Sequence, residues 1–182
     1  MLNAALSAIQ TLANGIAKAA NAVGTFVVLG LVAIVNYDVV ARGVFNKPFM
    51  GAVEVVQFAM VLIVFLQLPD VVRVNRLTRS DGFLTVMGGI YPRFANAWRR
   101  VINTISAVFM ALIAITIWPE FVEMLRTRDF FGVPGVFTAP WWPVKLTIFA
   151  SAALATLIFV LKVVGRSENI APVRGPETED IL

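Results

Sequence analysis

Few side chains in this chain are suited to chemistry, and most of them sit near the ends of apolar runs. Glu54 is the sharpest candidate, because it lies early in the run 53–68, which carries no other charge. A carboxylate inside a membrane span is costly and usually faces protein or water, so it is a functional candidate by default. Arg42 lies on the same side, at the end of the preceding apolar segment, and the first reading is a Glu54–Arg42 contact that closes a hairpin. Contact with a partner subunit and a proton- or ion-coupling role are the alternatives. Asp70 and Arg73, one helical turn apart, read as a solvated i,i+3 ion pair. Trp141 and Trp142 have the amphipathic rings that anchor at a membrane interface, and exposed aromatics of this kind also dock partner proteins. The Gly88-Gly89 pair fits no phosphate-loop spacing.

The absences narrow the chemistry further. The chain contains no Cys and no His. Disulfides, thiolate chemistry, iron–sulfur ligation and His-bound metals are therefore excluded, as is acid–base catalysis by histidine. The remaining polar residues form no recognisable acid–base or metal set, so the expectation is a protein that is not an enzyme and has no cofactor.

The elements that position these residues are read from composition. Of 182 residues, 59% are hydrophobic and 14% charged, and the mean hydropathy is +0.83. A soluble domain is about half apolar and a quarter charged, so the excess is large. The chain reads as an all-α integral membrane protein with four transmembrane helices and interfacial amphipathic segments. A net charge of +4 could point to nucleic acid, but the basic residues are spread along the segments that flank the spans. A positive-inside membrane protein accounts for them more simply, and no nucleic-acid partner is expected.

In order, residues 1–17 are mildly amphipathic, with Leu2, Leu6, Ile9, Leu12 and Ile16 at helical spacing. They read as a helix lying at the membrane surface, or as a lead-in to the first span. The membrane domain covers residues 18–165, with spans near 19–40, 51–72, 101–119 and 144–164. Each is close to the roughly 20 residues that a bilayer requires. Pro48 sits in the turn between the first two spans and favours a sharp hairpin. Ser80-Asp81-Gly82 reads as a helix cap, and the run 83–91 is too short to cross, so it is placed along the interface. Residues 120–143 read as a long loop rich in aromatics and Pro, and 166–182 as a flexible tail.

Orientation follows from counting. Four spans place both termini and the central connection on one side. That side holds ten of the fifteen Lys and Arg residues, the other five being Arg42, Lys47, Arg126, Arg128 and Lys145. The positive-inside bias then puts both termini in the cytoplasm. Spans one, three and four have no charge at their centres, and no internal repeat is evident. A carrier that works alone commonly breaks its helices near mid-membrane and lines the gap with polar groups. The chain therefore reads as a scaffold that needs a partner more than as a pathway.

Several short motifs in order carry a resemblance. They are Arg42-Gly43-Val44-Phe45-Asn46-Lys47-Pro48, Glu54 early in the second span, the stretch 66–81 ending in Asp81, and Pro140-Trp141-Trp142-Pro143 opening the last span. Together with the four-span topology, over roughly residues 20–165, they resemble the small permease subunit of a tripartite ATP-independent periplasmic (TRAP) transporter, the DctQ type. The resemblance implies a non-catalytic subunit of the bacterial inner membrane, within a system in which a periplasmic solute-binding protein captures an organic acid. The large permease subunit would carry that solute inward, usually with sodium, and this chain would pack against it, as a 1:1 heterodimer. By position, Arg42 and Glu54 would belong to the outer hairpin, Asp81 to the cytoplasmic turn, and Trp141 and Trp142 to the outer interface. Two rivals stand beside this reading: a self-contained proton-coupled exporter using Glu54, and an anchoring subunit of some other membrane complex.

Overall fold

The computed structural model describes residues 2–75, 92–127, 129–133 and 137–164. It contains four long helices, α1 (Leu2–Phe45), α2 (Ala52–Arg73), α3 (Pro92–Thr127) and α4 (Trp142–Val164). Between α3 and α4 lies an antiparallel hairpin of β1 (Phe130–Val133) and β2 (Phe137–Pro140), with Phe131 opposite Ala139. All four helices are long and apolar enough to cross a membrane.

One boundary differs from the sequence reading, at the third span. Residues 2–17 run without a break into the first span, because α1 is one helix of 44 residues, about 66 Å at 1.5 Å per residue. Residues 7–12 are exposed, and Ala13 and Ala17 bring α1 into the core. The third helix runs past Pro119 to Thr127, so the expected loop begins later and is built around the β-hairpin. Proline lacks an N–H but fits the helical φ, and membrane helices carry it where neighbouring groups take up the freed carbonyl.

Polar contacts set the directions of the helices. Asn21 on α1 meets Asp70 on α2 and Gly24 meets Leu66 and Gln67, so α1 and α2 are antiparallel. Ser151 and Lys162 on α4 meet Phe65 and Val72 on α2 in the same order, so these two helices are parallel. Glu120 and Lys145 pair across α3 and α4, which are antiparallel. The start of α1, the start of α3 and the ends of α2 and α4 therefore lie together at one end of the bundle; 'inner' labels this end and 'outer' the opposite one, as positions in the bundle alone.

In space α2 packs between α1 and α4, and α3 packs on the far side of α4. The core sits towards the inner end, where Ala13, Ala17, Val72, Ala107, Ala155, Ile158 and Phe159 cluster. Four of these seven are alanine, and small residues are what allow membrane helices to approach closely. The most apolar window is 28% buried in α4 but only 6% buried in α1. This chain's own packing therefore covers α4 best and leaves most of α1 to other contacts.

Candidate functional site

The polar residues gather into three groups. The first closes the outer hairpin. Helix α1 stops at Asn46, whose φ of 51 is left-handed, a conformation that Asn tolerates better than most residues. The Lys47 N–H turns back to Ala41 O at 3.1 Å, and Gly51, with φ 97, opens α2. This fold-back brings the Phe49 N–H to Asp38 Oδ1 at 2.8 Å, while Arg42 Nη2 donates to Asp38 Oδ2 at 2.9 Å. The ring of Tyr37 meets Phe49 edge-on at 6.4 Å. Asp38 is thus the residue that ties the turn to α1. Its side chain is 14% exposed, against 64% for Arg42.

This corrects the expected Glu54–Arg42 pair. Helical phase gives the reason: α2 meets α1 along the arc that carries Ala52, Ala59, Leu66 and Asp70. Glu54 lies instead on the arc shared with Phe58 and Val72, which faces α4 and the β-hairpin. It is half-buried, and among the described residues it makes no hydrogen bond or ion pair. It lies in the first turn of α2. The sequence did hold a signal for Asp38, an acidic residue four positions before Arg42 at the end of a span.

The second group ties the inner end of α2 to both neighbours. Asp70 accepts from Arg73 Nε at 2.8 Å and from Asn21 Nδ2 of α1 at 3.1 Å. The side chains of Asp70 and Arg73 are 16% and 24% exposed. The pair read from sequence as solvated is thus mostly buried and shared with another helix. On the other side, Lys162 of α4 donates to Val72 O and, at 2.5 Å, to Asn75 Oδ1. It places a cation on the terminal carbonyls of α2, where the helix field is negative.

One turn earlier, Pro69 sits inside α2 with no N–H to give to the carbonyl of Phe65, its i−4 partner. The Ser151 hydroxyl, 5% exposed, fills that place by donating to Phe65 O at 2.5 Å. Proline and serine lie 82 positions apart, which is why sequence reasoning did not connect them.

The third group is the aromatic outer cover. Phe131 of β1 packs 6.4 Å from Phe58 of α2 and 4.7 Å from Trp141, centroid to centroid. The Trp141 N–H donates to Asp129 O at 3.3 Å. The two adjacent tryptophans thus differ in role: Trp141 is half-buried and holds the hairpin down, whereas Trp142 is 45% exposed. Nearby, Lys145 Nζ meets Glu120 Oε2 at 2.8 Å, and Trp118 packs on Phe149 at 4.9 Å. Asp81 and the Gly88-Gly89 pair lie outside the described residues.

The chemistry available to these groups is structural. Asp38, Asn21, Asp70, Ser151 and Lys162 join one element of the bundle to another. Among the described residues no three of His, Cys, Asp or Glu come together to hold a metal ion. Two surface hollows among the described residues each follow a single helix, one along Ser7, Thr11 and Ile16 of α1 and another along Trp118, Glu123 and Arg126 of α3.

Comparison with known proteins bears on the whole arrangement. No curated protein and no solved structure matches the chain. Residues 31–169 match the family described as "Tripartite ATP-independent periplasmic transporters, DctQ component". The match spans the outer hairpin, the α2 and α4 members of the inner tie (Asp70, Arg73 and Lys162, but not Asn21), the β-hairpin and all of α4, well over half of the 182 residues. The chain therefore belongs to the DctQ family and is a multi-pass membrane component of a TRAP transporter rather than an enzyme.

Proposed function

We propose that this chain is the scaffold of its transporter, packing one-to-one against the large permease subunit in the bacterial inner membrane. The large subunit then carries an organic acid, delivered by the periplasmic solute-binding protein and driven by sodium. What supports a scaffold is the small share of its own surface that the chain covers. Four apolar helices have only 6% to 28% of their most hydrophobic windows buried, while their polar groups are used to tie the helices together. A protein built this way is a rigid block with its apolar sides turned outward, as a subunit that extends another's membrane footprint should be.

In this reading both termini lie in the cytoplasm, because ten of the fifteen Lys and Arg residues fall on their side and cytoplasmic loops carry such an excess. The outer end, with Arg42, Glu54 and the β-hairpin, then faces the periplasm. Arg42 holds the hairpin through Asp38, Glu54 is free for a subunit contact, and Trp142 is available at the outer interface for lipid or for the binding protein. Asp81 belongs to the cytoplasmic connection.

The test is co-purification of the tagged chain from its native membrane in mild detergent. Recovery of one large multi-span permease in equal amount, with uptake in liposomes only when both subunits and the binding protein are present, is the expected result. A homo-oligomer that moves solute alone and stops doing so on Glu54→Gln would replace the scaffold with the self-contained exporter.

A further inference from the structure

The two ends of the bundle differ in how their charges are matched. At the outer end the described residues carry the carboxylates of Asp38, Glu54, Glu120, Glu123 and Asp129 beside the cations of Arg42, Lys47, Arg126 and Lys145. Two of those cations are ion-paired. At the inner end Asp70 is the one carboxylate among the described residues, and Arg73 and Asn21 already occupy its oxygens. Arg99 and Arg100, adjacent on α3, make no ion pair among the described residues. Their own helix offers none, because it carries no Asp or Glu before Glu120. Depth and phase say what kind of anion suits them. The charge-free stretch 101–119 of α3 is about 28 Å long, close to the roughly 30 Å of a bilayer's hydrocarbon core. With Trp118 at one boundary, Arg99 and Arg100 fall at the other, among lipid headgroups. One turn further out, Phe94 and Trp98 are 51% and 46% exposed and stack with centroids 6.3 Å apart and 9° between their planes. The two rings lie on the side of α3 opposite Ala107, its residue in the core cluster, so they point away from the bundle. Arg99 and Arg100 occupy the two flanks between.

We propose that the inner start of α3 is a binding surface for anionic phospholipid. Arg99 and Arg100 donate to headgroup phosphate oxygens, a charge-assisted contact that guanidinium makes well, while the Phe94–Trp98 stack lies against the glycerol region and upper acyl chains. Arginines beside exposed Trp and Phe are the pattern by which a helix holds to an anionic membrane surface. A zwitterionic headgroup presents the same phosphate but brings its own cation, so the unmatched positive charge selects a lipid of net negative charge, such as phosphatidylglycerol. The outer end of the same helix provides the contrast, because there Arg126 follows Glu123 by one turn and Lys145 is taken by Glu120. This holds whether or not the chain is a scaffold, since it requires only that α3 spans the bilayer.

Trp98 is itself the reporter, because the other tryptophans, Trp118, Trp141 and Trp142, lie at the outer end. The chain is purified in mild detergent together with any chains that accompany it, and reconstituted into phosphatidylcholine vesicles. These contain brominated phosphatidylglycerol or, separately, brominated phosphatidylcholine, whose bromines quench an indole only at close range. The difference between wild type and Trp98→Phe isolates the quenching of Trp98. The expected result is an apparent affinity for phosphatidylglycerol higher by about five-fold or more, the factor for one basic residue near an anionic surface. Raised salt should narrow the preference. Replacing both arginines, Arg99→Gln with Arg100→Gln, should abolish it. Arg99→Lys with Arg100→Lys, which keeps both charges, and Arg126→Gln at the outer end should retain it. Equal quenching by the two lipids, or a preference that survives the loss of both arginines, would overturn the lipid surface. Trp98 quenched by neither lipid would overturn it too, because a protein would then cover the stack.

Discussion

Replacing Ser151 with alanine should destabilise the bundle only because Pro69 is present. The perturbation removes one hydroxyl that is 5% exposed and donates at 2.5 Å to Phe65 O. In an ordinary helix that carbonyl would already hold the N–H four residues on, and the hydroxyl would be a second donor of small value. Here residue 69 is proline, so Ser151→Ala leaves a carbonyl in the protein interior with no donor. Buried polar groups stranded in this way cost about 1–3 kcal/mol in soluble proteins, whereas hydrogen bonds between membrane helices average about 0.6 kcal/mol. Alanine returns about 0.5 kcal/mol through its better helix propensity, so a net loss of about 1 kcal/mol is expected. For a chain of this size that corresponds to a fall in melting temperature of roughly 2–4 °C. The decisive assay is a double-mutant cycle, read by thermal unfolding in mild detergent. Pro69→Ala restores an N–H for Phe65 O, so Ser151→Ala made in that background should cost close to nothing, giving a coupling of about 1 kcal/mol. An equal cost in both backgrounds would refute the reasoning, because it would mean that the hydroxyl acts independently of the missing N–H.

Three further outcomes follow from the same contacts. Asp38→Ala strips the Phe49 N–H and Arg42 of their acceptor and should cost about 1–2 kcal/mol, with faster proteolysis at residues 46–50. Glu54→Gln should shift the melting temperature of the isolated chain far less, and the reverse order would restore Glu54 as the hairpin residue. Gly24→Ala sets a Cβ 2.9 Å from Gln67 Cγ and 3.2 Å from Leu66 Cβ, so overpacking should lower stability by about 1–3 kcal/mol. Gly30→Ala meets nothing within 4 Å and should raise stability by up to about 1 kcal/mol through helix propensity. The opposite signs can be read from two melting curves. Trp141→Ala removes the ring that packs on Phe131 and should loosen the β-hairpin, seen as faster amide exchange in residues 130–140, whereas Trp142→Ala should leave that exchange unchanged.

The membrane class, the four crossings and the family resemblance were legible in the sequence because they depend on sums over neighbouring residues. An uncharged run of about twenty residues is a span whatever its neighbours do. The outer hairpin was also local: Asn46, Pro48 and Gly51 mark it in order, and Asp38 stands one helical turn before Arg42. What the tertiary structure alone decided is which polar groups meet. Glu54 and Arg42 share a side of the membrane, yet the helical phase of α2 turns Glu54 towards α4 and leaves Arg42 to Asp38. Asp70 and Arg73 look like a surface pair until Asn21, from a helix 49 residues away, joins them. Pro69 falls inside the second span in the sequence, but what takes up the Phe65 carbonyl that it leaves without an N–H is Ser151, from another helix. Hydropathy is a property of single residues and adds along the chain, whereas the partner of a buried donor or acceptor depends on distance and phase between helices, which exist only once the chain has folded.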